Sequence, residues 1–114
     1  MLNVIKLILR KKQHASVFFD NKEIKFIVSD GREFTISWLE LIRVSIQTTD
    51  EGPARPDAFW LLETKKHTLR IPHGTQGDKE LLHQLQKLPG FDNQTFISSM
   101  ASVNNNLFVC WEKK

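Results

Sequence analysis

From Lys25 to Thr48 the chain reads KFIVSDGREFTISWLELIRVSIQT, and its apolar residues keep a period of two. Phe26 and Val28, then Phe34, Ile36 and Trp38, then Ile42, Val44 and Ile46 fall on even positions, with Ser29, Arg43, Ser45 and Gln47 between them. Successive side chains of a strand point to opposite faces, so this alternation gives one dry face and one wet face. Asp30-Gly31 supplies the left-handed turn of a tight hairpin, and Trp38-Leu39-Glu40-Leu41 makes a second compact connection. The stretch therefore predicts an antiparallel meander of three strands, and commits the chain to a β-rich domain curled around one core.

The flanking segments extend this pattern. Ala15–Phe19 and Glu23–Val28 lie on either side of Asp20-Asn21-Lys22, whose residues tolerate the left-handed conformations of a hairpin turn. Residues 2–9 satisfy neither a strand nor a helix period and read as an edge strand or a short amphipathic helix. The TDEGPARPD segment holds Gly52, Pro53 and Pro56, which break regular structure, and Asp50, Glu51 and Asp57, which keep it wet. Ala58–Glu63 and Thr68–Ile71 form a further hairpin over Thr64-Lys65-Lys66-His67. The first of these strands is apolar on both faces, as at the centre of a sheet or beneath a helix. Leu81, Leu82, Leu85 and Leu88 then make a helical stripe, with Asp78 as its expected cap and Pro89-Gly90 as its stop. A second helix is expected after Asp92, with Phe91 and Phe96 placed as a hydrophobic staple and an apolar stripe of Phe96, Ile97, Met100 and Val103. Asn104-Asn105-Asn106 ends it, and Leu107–Trp111 reads as a last strand or as an apolar tail docked on the core.

At 114 residues the chain is expected to form a single domain over residues 1–114, large enough for a real core. The net charge of +3 is spread evenly: residues 1–57 carry nine basic and eight acidic side chains, and residues 58–114 carry seven and five. Nucleic-acid binders concentrate positive charge on one stripe, so this interleaving argues against that class. Cys110 is the lone cysteine, which excludes an intrachain disulfide and suits a reducing cytoplasm. The opening MLNVIKLILRKKQ has a short apolar run interrupted by Lys6, with its basic cluster after the run, and so does not read as a signal peptide or a membrane span.

Little in the chain points to a reaction. Cys110 lies in an apolar segment where a buried, inert thiol is the rule. Ser37, Ser98 and Ser99 lack the glycine-flanked turn of a catalytic serine. His14, His67, His73 and His83 show no metal-ligand spacing, although His67 and His73 could meet across a hairpin mouth. The run from His73 to Gly77 resembles a phosphate loop only in its glycines, and Asp78 accounts for it as a helix cap. No catalytic, cofactor or metal residues are therefore assigned, and no cofactor is expected. Two surfaces are candidates for binding. Asp50, Glu51, Arg55 and Asp57 occupy the loop that the fold least needs, where a partner would bind. Lys22, Lys25, Lys65 and Lys66 mark hairpin turns that could touch an anion or an anionic membrane, as could Arg10-Lys11-Lys12.

The order of elements, and the step from Phe34 through Trp38, Glu40 and Ile42 to Val44, resemble the pleckstrin-homology-like domains of bacteria. The likeness spans residues 15–88 and implies about seven strands in a partly open barrel, closed at one end by a C-terminal amphipathic helix. Residues 88–111 add a second helix and a returning segment, in a manner similar to small bacterial proteins. In phosphoinositide-binding members of that superfold a basic signature lies in the first hairpin. Lys22, Lys25 and Arg32 are its nearest equivalents here, but the Lys/Arg-x-Arg element is missing, so lipid binding is not carried over. What the resemblance implies is a binding or assembly domain.

The chain thus reads as an α+β domain: a curved antiparallel β-meander capped by one or two C-terminal helices. Its expected core is Phe26, Phe34, Ile36, Trp38, Val44, Leu61 and Ile71, closed by Leu81, Leu82, Leu85 and Phe96. The expected function is non-catalytic protein binding in the bacterial cytosol, of an adaptor or immunity type, by a monomer or weak homo-oligomer. The alternative is an anionic-surface or small-anion binder acting through its basic turns.

Overall fold

The computed structural model describes residues 14–52 and 57–114. The strand or helix expected at residues 2–9, the Arg10-Lys11-Lys12 cluster and Arg55 lie outside the described residues.

The described residues are α+β, with seven antiparallel strands in two sheets and two short helices among them. Strands β1 (Ser16–Phe19), β2 (Glu23–Ile27) and β3 (Glu33–Ser37) form the first sheet in that order. Strands β4 (Arg43–Thr48), β5 (Ala58–Glu63), β6 (Thr68–Pro72) and β7 (Asn106–Glu112) form the second, in the order β6-β5-β4-β7. Helices α1 (Asp78–Leu85) and α2 (Asn93–Met100) intervene between β6 and β7. Among the described residues the strands do not close into a barrel.

The expected three-strand meander is divided. β2 pairs with β3, but the chain then leaves the first sheet through a 3-10 turn at Trp38–Glu40, and β4 opens the second sheet. The two hairpins of the first sheet close differently. Gly31 takes a φ of 94°, and Val28 donates to the carbonyl of Arg32 at 2.9 Å. At Asp20–Lys22 no residue needs a left-handed backbone; the Asp20 carboxylate accepts from the amides of Lys22 and Glu23, each at 2.8 Å. The side chain does there what backbone handedness was expected to do.

Register places Val17, Phe26 and Phe34 on one face of the first sheet, beside Phe19, Ile24 and Ile36. In the second sheet Val44, Ile46, Trp60, Leu62, Leu69, Ile71, Phe108 and Trp111 share a face. A single cluster of buried side chains joins these faces to Leu41, Leu81, Leu85 and Phe91. Phe59–Leu62 lies, as expected, in an inner strand. Two members of the expected core are misplaced. Phe34 is 41% exposed because β3 is a sheet edge, and Leu61 is half-buried because it pairs with Ser45 on the outer face. Leu41, fully buried, was not foreseen.

α1 is capped by Gly77 instead of Asp78. Gly77 has a φ of 94°, and a Cβ there would run into the carbonyl oxygen of Val17, which crosses it closely. That approach is a parallel bridge in which Val17 donates to Gln76 O at 2.8 Å and Gln76 donates to Ala15 O at 3.3 Å. Asp78 instead accepts from the amide of Gly74 at 2.7 Å, so the glycine-rich loop already satisfies itself. Asp92 caps α2 as expected, accepting from the amide and hydroxyl of Thr95 at 3.0 and 2.7 Å. These bonds hold its carboxyl below the usual aspartate range.

The expected apolar stripe of α2 is largely on the outside. Phe96 packs inward, its ring stacked on Trp60 at 5.7 Å, and Ser99 is buried with its hydroxyl donating to Phe96 O at 2.6 Å. Ile97, Met100 and Val103 are 59%, 61% and 75% exposed. Among the described residues no helix is long and apolar enough to cross a membrane.

Candidate functional site

The strands of the second sheet run between two ends of unlike chemistry. β4 starts at Arg43, beside Glu63 and Glu112, and finishes at Thr48, beside Ala58 and Asn106. Six residues of strand separate these ends by roughly 17–20 Å.

The first end is built on the 3-10 turn. Ser37 caps it, accepting from the amide of Leu39 at 3.2 Å. Trp38 is fastened to the β1–β2 turn: its amide donates to Lys22 O at 3.0 Å, its indole to Asp20 O at 2.8 Å, and its ring meets Phe19 edge-on. Leu41, one 3-10 turn later, is buried in the core. With three residues per turn Trp38 and Leu41 share the inner side, which forces Leu39 outward. Leu39 is 84% exposed.

Lysines from separate elements converge around it. Trp38 fixes the turn carrying Lys22 against the base of the 3-10 segment. Ile42 donates to Glu63 O at 2.8 Å and so brings up the β5–β6 turn with Lys65 and Lys66. The Thr64 hydroxyl organises that turn, donating to His67 O at 3.0 Å and accepting from the amides of Lys66 and His67. Lys113 donates through its backbone to Ile42 O at 2.9 Å and through Nζ to Leu39 O at 3.0 Å. Leu39, Glu40, Ile42, Lys65, Lys66 and Lys113 line a cleft of about 390 Å³.

The acids at this end are mostly engaged elsewhere. Arg43 bridges two strands on the outer face, reaching Glu63 at 2.9 Å and Glu112 at 3.6 Å. Asp20 is spent on its turn, and its carboxyl lies below the usual range because it accepts from the amides of Glu23 and Lys22. Among the described residues none of Lys22, Lys65, Lys66 or Lys113 has a carboxylate partner within 4 Å. Glu40 is the acid that remains in the cleft. Lys25, grouped with these lysines from sequence, stands apart in a hollow with Glu23 and Glu33 on the outer face of the first sheet.

The second end is acidic. Thr49 donates to Asp57 O at 2.8 Å and closes the loop that carries Asp50 and Glu51, both exposed. Gly52 packs so tightly that a Cβ would lie 3.0 Å from the Asp57 carboxylate. Thr48 ties this loop to the segment after α2, donating to Asn104 O at 2.7 Å and bonding the Ser102 hydroxyl at 2.9 Å. Asp50, Glu51 and Asp57 lie on this one loop, and the link from Thr48 to Ser102 and Asn104 was not foreseen. From Asn93 to Trp111 no side chain is charged.

The remaining candidates fall as follows. His67 and His73 flank opposite ends of β6 and do not meet. His73 instead lies over Trp60 at 5.3 Å, in a cleft of about 290 Å³ with Leu82, Phe96 and Met100. Burial pushes its pKa down against the opposing pull of Asp78 and Asp57, and its Nε2 has no partner among the described residues. Cys110 is buried, its thiol pushed up to about 11 by desolvation and by Asp92, and it faces Phe108 O. It is a protonated, unreactive thiol at neutral pH. Among the described residues no three His, Cys, Asp or Glu side chains gather as metal ligands. Comparison of the chain with models of known families, with curated proteins and with solved structures returns no match.

Proposed function

We propose that this chain is a non-catalytic adaptor domain that rests reversibly on an anionic membrane surface through its basic end. One observation carries the reading: Lys65, Lys66 and Lys113, without carboxylate partners among the described residues, line a cleft with a leucine that the fold holds out in solvent. Each lysine near an anionic leaflet contributes about 1 kcal/mol, and full burial of a leucine about 1.5–3 kcal/mol. Leu39 enters the interface only in part, and Glu40 opposes the lysines. Together these give weak, salt-sensitive attachment, suited to a module that comes and goes. The cations are all lysines, which act as point charges on a stem, without the planar fork that reads bases or phosphates in pairs.

The test is co-sedimentation with vesicles of phosphatidylcholine alone and of phosphatidylcholine with phosphatidylserine, at low and at physiological salt. Binding is expected only to the anionic vesicles and weakens as salt rises. The triple variant Lys65→Glu/Lys66→Glu/Lys113→Glu loses it, and Leu39→Ser reduces it without changing its salt dependence. Equal binding to neutral vesicles, or none to anionic ones at low salt, removes the proposal.

A further inference from the structure

Two open sheets leave four edge strands, and on three of them an outward backbone group is taken or missing. On β1 the amide of Val17 donates to Gln76 O, and the carbonyl of Ala15 accepts from Gln76. On β6 Pro72 has no amide to offer, and its carbonyl accepts from the amide and hydroxyl of Thr75. On β7 the carbonyl of Cys110 accepts from Asp92 at 2.8 Å, and α2 packs beside the strand.

β3 differs from all three. Its register on β2 is fixed at both ends, where Val28 donates to Arg32 O at 2.9 Å and Trp38 donates to Lys22 O at 3.0 Å. Backbone groups alternate sides along a strand, so Arg32, Phe34, Ile36 and Trp38 turn theirs toward β2. Glu33, Thr35 and Ser37 turn theirs outward, and among the described residues these amides and carbonyls have no partner. The strand holds neither proline nor lysine, the usual guards of an edge. Phe34, on its inner side, is left 41% exposed at this margin of the core.

The open groups are arranged symmetrically about Thr35, and that symmetry selects the occupant. We infer that β3 pairs antiparallel with β3 of a second copy, centred on Thr35, and so joins two three-stranded sheets into one. Thr35 then faces Thr35 of the second copy and Glu33 faces its Ser37, and each of these facing pairs exchanges two hydrogen bonds. The centred register uses all three outward residues, whereas sliding the second strand by two residues leaves one of them unpaired on each copy. On the inner side Phe34 comes opposite Ile36 of the second copy in the closely spaced position, with the two Phe34 rings on the diagonal within aromatic reach. Thr35 against Thr35 is a favourable pair, and no like charges stand directly opposite. Behind Ser37 of the second copy lies its Glu23, offset by Lys25 in the next row. A five-residue strand offers less than the roughly 800 Å² per partner of a stable interface, so the dimer forms only at high concentration. This inference is independent of the membrane reading, because it uses none of the residues around Leu39.

The test is sedimentation velocity of the full chain between about 10 µM and about 1 mM, with hydrogen exchange at both limits. Monomer is expected to give way to dimer across this range. The amides of Glu33, Thr35 and Ser37 gain protection with concentration, while those of Phe34 and Ile36 are protected throughout. Thr35→Pro removes an outward amide without touching the bonds to β2, and raises the dissociation constant at least about tenfold. Thr35→Lys, which sets two ammonium groups face to face, does the same. Thr68→Lys, on the β6 edge, leaves the dimer unchanged, and circular dichroism checks that all three variants are folded. The inference is overturned by a chain that stays monomeric at about 1 mM, or by a dimer that folded Thr35→Pro and Thr35→Lys leave intact. It is equally overturned if the amides of Glu33, Thr35 and Ser37 are protected to the same degree at both concentrations, which would place another segment of the same chain on this edge.

Discussion

Replacing Gly77 with alanine tests how the first sheet is joined to the helical half of the molecule. Gly77 and Gly31 share a φ of 94°, but nothing lies within 4 Å of a Cβ at Gly31, while one at Gly77 meets the backbone of Val17. The left-handed backbone costs an alanine about 1–2 kcal/mol at either site. Both substitutions also stiffen the unfolded chain similarly, so that contribution cancels in the comparison. At Gly77 alone, Val17 must withdraw, which breaks its bond to Gln76 and the return bond from Gln76 to Ala15. Two backbone hydrogen bonds at about 1 kcal/mol each bring the cost to about 3–4 kcal/mol. A domain of this size has about 5–15 kcal/mol in all. With a urea dependence of about 1.5 kcal/mol per molar, the midpoint falls by about 2 M for Gly77→Ala and about 1 M for Gly31→Ala. Hydrogen exchange supplies a second reading: the Val17 amide loses protection in Gly77→Ala and keeps it in Gly31→Ala. Equal midpoint shifts, with Val17 still protected, would falsify the claim that this close approach fastens the sheet to the helices.

Three further outcomes follow from single groups. The Asp92 carboxyl titrates below its usual value in the folded state, so its contribution is complete above pH about 4 and fades as pH falls through the lowered value; thermal melts of wild type and Asp92→Asn should differ by a constant amount above that pH and converge below it. His73 titrates lower when folded than when unfolded, so it adds stability above pH about 6.5 that is lost as pH falls through the folded value; its imidazole resonances should move with a midpoint below 6.5, and a midpoint at or above 6.5 would show that it is not desolvated against Trp60. Cys110, with its thiol at about 11, should resist a disulfide reagent at pH 8 and react only at the rate of unfolding; immediate reaction of the native protein would place the thiol at the surface.

The parts of this molecule that were legible in its sequence are those decided locally. The Asp30-Gly31 hairpin, the inner position of Phe59–Leu62 and the Asp92 cap each depend on a few adjacent residues. Phe34 shows the boundary: its phase correctly put it on the core side, but only the order of strands reveals that this side is bare at an edge. The passage between sheets at Trp38 was hidden because the even-numbered phase of Phe34, Ile36 and Trp38 resumes at Ile42, as though the strand pairing continued. In α2 the helical period was read correctly and its orientation was not, because Ser99 satisfies its hydroxyl on Phe96 O and can be buried while Ile97 and Met100 stay out. The basic end was half legible: Lys22, Lys65 and Lys66 stood out as turn lysines. The meeting of Lys65 and Lys66 with Lys113 around Leu39 depends on contacts between elements far apart in the chain.

The position of β7 governs how the protein can be taken apart. This strand is laid against β4, near the middle of the chain, only after both helices have been passed, so their pairing is the least local event in assembly and the natural last step. Until it occurs, Val44 and Ile46 sit in an unguarded edge, and a chain arrested there offers that edge to its neighbours. The same geometry makes β7 a detachable piece: residues 14–105 and a synthetic peptide of residues 106–114 would form a complementation pair. Rejoining would be reported by the indole of Trp111 as it finds the carbonyl of Pro89.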